Sequence, residues 1–150
     1  MQREKRTDPA RIVLDTNVFV SGIISGKNAP GIILKAFQKG KIKLLISDEV
    51  LDEYLRVLSY PKIRRYPKVT DEYVAHVCAL LIHESERVEI HSHFELSGDA
   101  DDNKFLELAV DGAASMIVSG DKKDLLALKE VENIPIVLAK NCVELLKLRK

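Results

Sequence analysis

Ile12-Val13-Leu14-Asp15 decides the fold of this chain: three consecutive apolar residues, two of them β-branched, closed by an acid. A run apolar at every position, without polar alternation, predicts a strand buried on both faces. Leu44-Leu45-Ile46, Met116-Ile117-Val118 and Ile136-Val137-Leu138 have the same character, and Val88-Glu89-Ile90 is a further candidate strand. Five short strands are thus expected.

The stretches between them carry helical signals. Pro30 opens a helix whose apolar positions Ile32, Ile33, Ala36 and Phe37 recur at helical spacing, and Gly40 stops it. Ser47 is an N-cap followed by Asp48 and Glu49, where the helix dipole favours acids. That helix turns Val50, Leu51, Tyr54, Leu55 and Leu58 inward and ends before Pro61. Thr70 caps another, with Val74, Val77, Cys78 and Leu81 on its buried face. Residues 101–110 form a short helix closed by Gly112, another spans 125–129, and Asn141 with Glu144 resembles a capping box for the last. Strands alternating with helices predict an α/β domain of three layers, α/β/α, around a five-stranded parallel sheet.

The length of 150 residues fits one domain, placed at 11–150 behind a flexible polar leader at 1–10. The 23 acids balance 23 bases, so any attraction to nucleic acid must be local. Cys78 and Cys142 are too few and too distant for a disulfide scaffold or zinc site and read as reduced core residues. No stretch reaches the length of a membrane span, and the charged N-terminus has no apolar run like that of a signal peptide. A cytoplasmic protein is expected.

Acids end the strands. Asp15 closes the first and Asp121 follows the fourth after Ser119-Gly120, on the rim where open parallel sheets bind ligands. Glu53 lies in the second turn of the helix after strand two, near the same rim. At about 100° per residue, Asp102 shares a face with Phe105, Leu106 and Ala109, while Asn103, Lys104 and Glu107 point elsewhere. A carboxylate therefore continues an apolar stripe; the alternative is that Asp102 merely caps the helix. Like charges roughly 5 Å apart repel by about 3 kcal/mol at an effective dielectric of about 20. Four gathered acids are thus destabilising unless some protonate or a cation intervenes, and hard oxygen donors at an open site suit Mg²⁺ or Mn²⁺.

These residues resemble the PIN domains. Val13-Leu14-Asp15-Thr16-Asn17-Val18 is similar to the family's opening motif, and residues 47–53 with Tyr60-Pro61-Lys62-Ile63 to the second-acid region of its subgroup of toxins from toxin–antitoxin systems. Residues 99–109 are similar to the third motif of that subgroup, and Ile117-Val118-Ser119-Gly120-Asp121 to its fourth. The resemblance covers about residues 11 to 140 in order. It implies a metal-dependent ribonuclease acting on single-stranded RNA, with Asp15, Glu53, Asp102 and Asp121 as catalytic and metal-binding acids. Asn17 and Ser119 would be supporting polar residues, and Asp99 a helper at the metal site or helix cap. After Asp121 come Lys122, Lys123 and Asp124; Asp121 is favoured as fourth acid because it directly follows the strand. A small antitoxin protein and a homodimer are the partners the resemblance implies.

Residues 62–68 are the densest basic run and include Tyr66, which could stack on an unpaired base; the alternative is a solvated loop between helices. Arg64, Arg65, Lys104 and Lys122 are the candidate substrate contacts, although the lysines beside the acids could equally balance their charge. His91 and His93 alternate faces if extended and lack a third ligand nearby, while His76 and His83 read as exposed. Two further readings are a receiver-type phosphorylated signalling module and a catalytically silent binding domain. The first wants an acid pair ending strand one, where this chain has a single acid. The second finds no sign of decay, since all four acid positions are filled.

Overall fold

Strand β1 (Ala10–Leu14) sits inside the sheet because Ile12, Val13 and Leu14 are completely buried, apolar on both faces. A computed structural model describes residues 8–96, 98–120 and 125–149; most of the leader, residues 1–7, lies outside them. On one side β1 pairs in parallel with β2 (Ile42–Ile46), which pairs with β3 (Glu86–Arg87). On the other it pairs in parallel with β4 (Met116–Val118), followed by β6 (Ile134–Val137) and β5 (Glu130–Val131). The order is β3-β2-β1-β4-β6-β5, mostly parallel and flanked by helices. This is the α/β architecture the alternation predicts.

The sixth strand is the difference. β5 pairs antiparallel with β6 across Glu132-Asn133, both with positive φ (44° and 68°), as a two-residue turn of the primed type requires. Neither residue is glycine, so the turn signal is weak in sequence. β3 lies two residues earlier than Val88, and Val88 extends the ladder by donating its N–H to the Ile46 carbonyl at 2.8 Å.

The helices are α1 (Thr16–Ile24), α2 (Ala29–Gln38), α3 (Asp48–Leu58), α4 (Pro61–Arg64), α5 (Asp71–Glu84), α6 (Asn103–Asp111), α7 (Leu125–Leu128) and α8 (Ala139–Leu146), with a 3₁₀ turn at Ala100–Asp102. α1 is not anticipated by the sequence reading; its cap is Asp15, the acid already assigned to the site. Ser47 and Thr70 cap α3 and α5 as expected. Asn141 lies inside α8, whose N-cap is Leu138 with no side-chain cap, so Asn141 and Glu144 form no capping box. Cys142 is fully buried and Cys78 partly so, both as free thiols, and burial pushes the Cys142 thiol up to about 12. Among the described residues no helix is long and apolar enough to cross a membrane.

The chain leaves β1 for β2 on one side and returns to β4 on the other. The carboxyl ends of β1 and β4 therefore form the switch point at which such sheets bind ligands.

Candidate active site

Leu14 lies opposite Val118 in the β1–β4 ladder, so Asp15 and Ser119 leave the sheet side by side. Asp15 is buried, and both its oxygens are engaged. One accepts the Val18 N–H at 2.8 Å, capping α1, and the other accepts the Ser119 hydroxyl at 2.5 Å. The Asp15 N–H donates to the Val118 carbonyl at 3.0 Å, which ties the acid to the neighbouring strand. An aspartate held at a helix N-terminus by two donors is fixed in orientation.

Glu53 comes from the second turn of α3. It accepts hydrogen bonds from the Thr16 hydroxyl on one oxygen and from Lys104 Nζ at 2.8 Å on the other, with Arg56 at 3.6 Å. Burial would raise its pKa, but the Lys104 and Thr16 hydrogen bonds and the charges of Lys104 and Arg56 outweigh it. The carboxyl is held below the ordinary glutamate value.

Asp102 stands where the 3₁₀ turn passes into α6, and its side chain makes no capping hydrogen bond. The cap belongs to Asp99, whose side chain accepts the Asp101 N–H at 3.0 Å and shapes the turn that presents Asp102. Contrary to the helical-wheel expectation, Asn103 and Lys104 are buried. α6 packs against β1, β2, β4 and α3 together, so more than one of its faces is covered. Lys104 is fixed on two sides, donating to the Asp101 carbonyl at 2.8 Å as well as to Glu53. Its ammonium is thus paired with a carboxylate of the cleft.

These residues converge. Asp15, Thr16, Asn17, Glu53, Asp101, Asp102, Lys104 and Phe105 line one cleft of about 220 Å³ at the carboxyl end of β1. Among the described residues four carboxylates there face one ammonium. Asp121, Lys122 and Asp124 lie outside the described residues.

Among the described residues neither histidine nor cysteine lines the cleft, and its hard oxygen donors fit Mg²⁺ or Mn²⁺ better than zinc. Among the described residues no three acids, histidines or cysteines form a ready-made metal cage. Magnesium does not need one, since it binds through one or two carboxylates, waters and substrate phosphate. The donor set fits such a cation.

Sequence reasoning missed two supporting residues. Thr16 reaches Glu53, a contact no linear spacing foretells. Tyr54, placed on the inward stripe of α3, is fully buried and donates its hydroxyl to the Leu14 carbonyl at 2.5 Å. Its ring stacks on Phe19 at 4.2 Å between centroids. Burial, with the nearby charges of Asp15 and Glu53, pushes the tyrosine pKa well above its usual value, so it remains a donor. α3 thereby presents Glu53 and braces the strand end that bears Asp15.

Of the other candidates, Arg64 is ion-paired with Asp71, whereas Arg65 lines a separate groove. The His91 and Ser92 N–H groups both donate to Asp111 (2.6 and 2.8 Å), which anchors that loop, and His76 and His83 are exposed.

Residues 11–123 match the sequence profile of a family described as PIN domain. The chain is also 32% identical over 120 residues to an uncharacterized protein of Methanocaldococcus jannaschii, covering 80% of this chain and 76% of that protein.

Proposed function

This chain belongs to the PIN-domain family, a nuclease superfamily, and on that premise we propose that it is a Mg²⁺- or Mn²⁺-dependent ribonuclease of single-stranded RNA. The observation that carries this reading is the meeting of Asp15, Glu53 and Asp102 in one cleft at the switch point of the sheet. Asp121, directly after β4 and Ser119-Gly120, is the fourth acid of the proposal.

In this mechanism Asp15, Glu53, Asp102 and Asp121 would hold the divalent ion. A divalent ion at this place would acidify a water for attack and offset charge on the scissile phosphate. Ser119 and the α1 N-terminus fix the orientation of Asp15. Thr16 fixes Glu53, and Lys104 offsets part of the cleft's negative charge before a phosphate approaches. Hydrolysis leaves a 5′-phosphate and a 3′-hydroxyl.

The test is cleavage of end-labelled single-stranded RNA by the purified chain with Mg²⁺ or Mn²⁺, against a chelator control. Cleavage is expected only with metal and not from Asp15→Asn; an inert wild type with both metals overturns the proposal. The finer role is that of the toxin in a toxin–antitoxin pair, acting in the cytoplasm as a homodimer until a small antitoxin covers the site. It rests on the likeness of residues 99–109 to that subgroup. Growth arrest on expression, relieved by the product of an adjacent short gene, is the expected result. Unimpaired growth with active enzyme removes that role.

A further inference from the structure

A second groove lies further along α1 from the acidic cleft, and the charged residues that line it are basic. It is formed by Val20 and Ile24 of α1 and by residues 62–67 around α4, Lys62, Arg65 and Tyr66 among them, with no carboxylate among its described lining residues. Its volume is about 630 Å³. Tyr66 is 45% exposed, a large ring left against solvent. Among the described residues Lys62 and Arg65 have no carboxylate partner, whereas neighbouring Arg64 is neutralised by Asp71.

The groove and the cleft are successive stations along one pair of helices. Thr16, Val20 and Ile24 are spaced four apart and so lie in one row on α1, about 6 Å and 12 Å along the axis from the first. Thr16 contacts Glu53 of α3 in the cleft, while Val20 and Ile24 face the α4 segment that follows α3. Arg56, one turn after Glu53 on α3 and largely exposed, lies toward the groove end of that helix.

We propose that this groove binds the nucleotides flanking the scissile bond of a single-stranded RNA, with the Tyr66 ring stacking on an unpaired base and Lys62 and Arg65 contacting backbone phosphates. Cations beside a stacking ring are the combination that holds single strands without reading sequence. A duplex keeps its bases stacked inside and offers the ring nothing. The overall charge of the chain is zero, so a local track is what brings a polyanion to an acidic cleft. The proposal rests on the ribonuclease reading.

The experiment measures fluorescence anisotropy of a labelled 12-nucleotide single-stranded RNA in chelator, so that no bond is cut. It compares wild type, Tyr66→Ala and Lys62→Ala/Arg65→Ala. Lys39→Ala/Lys41→Ala, exposed beyond the end of α2, serves as a charge-matched control. Tyr66→Ala should weaken binding roughly tenfold for the single strand and leave a blunt duplex unaffected. The double basic variant should lower the slope of log affinity against log salt by about 1.4, as two single-strand phosphate contacts predict, while the control matches wild type. Equal affinity for all variants, or equal losses in the groove and control pairs, overturns the groove assignment even if the enzyme cuts RNA. Tyr66-dependent binding by a chain that cuts no RNA with either metal upholds the groove and removes the ribonuclease reading.

Discussion

Lys104 Nζ lies 2.8 Å from Glu53 Oε1, with 7% and 17% of the respective side chains exposed, so the cleft carries its own cation. Removing one partner of a largely buried pair strands the other. Lys104→Ala should lower metal-free stability by about 3 kcal/mol. Mg²⁺ should then raise the melting temperature of the variant more than that of the wild type, because a second cation relieves the same carboxylates. Equal metal-induced shifts would show that lysine and metal occupy independent places.

The depressed pKa of Glu53 makes a pH prediction. A carboxyl held below its unfolded value of about 4.5 contributes stability above that pH, and this is lost as pH falls through the folded value. Denaturant titrations of wild type and Glu53→Gln should therefore differ most above about pH 5 and converge below pH 4.5. A difference that persists unchanged to low pH would assign the effect to packing.

Asp15 has two duties that substitutions can separate. Asparagine caps a helix about as well as aspartate, and the Ser119 hydroxyl can rotate to accept from the new amide. Asp15→Asn should leave metal-free stability nearly unchanged and abolish both cleavage and metal-induced stabilisation. Asp15→Ala should in addition lose about 1–2 kcal/mol through the missing α1 cap. If both variants are equally unstable in denaturant, the Val18 and Ser119 contacts require the charge itself.

Tyr54→Phe keeps the ring against Phe19 and deletes the bond to Leu14, at a cost of about 1–2 kcal/mol. Because Asp15 directly follows Leu14, kcat should fall while KM changes little. The raised tyrosine pKa contributes stability below pH 10 that is lost at higher pH, so the variant should have a flatter alkaline limb in thermal melts. An unaltered kcat would confine Tyr54 to the core.

Asn133→Gly relieves a non-glycine residue at φ 68° in the β5–β6 turn. It should stabilise the fold by roughly 0.5–1 kcal/mol without changing cleavage. A lower melting temperature would mean that Asn133 supports the turn through its side chain.

Much of the architecture is readable in the chain because burial on both faces leaves a linear trace. Ile12-Val13-Leu14, Leu44-Leu45-Ile46 and Met116-Ile117-Val118 cannot be half-exposed strands, and Ser47 and Thr70 mark helix starts through purely local hydrogen bonds. Elements resting on weaker signals are shifted or absent from the reading. β3 moves two residues, the Glu132-Asn133 hairpin adds a strand, and α1 escapes because its cap is also the leading acid.

The sequence by itself determined which carboxylates end buried strands and open helices, since those placements depend on residues a few positions away. Tertiary structure alone decided what each carboxylate faces. Thr16 and Lys104 meet Glu53 from 37 and 51 positions away, and Ser119 meets Asp15 across 104. Such partners are chosen by strand order and helix packing, which bring distant side chains to one sheet edge. The burial of Lys104 follows from α3 and the sheet both covering α6, which no helical wheel can register.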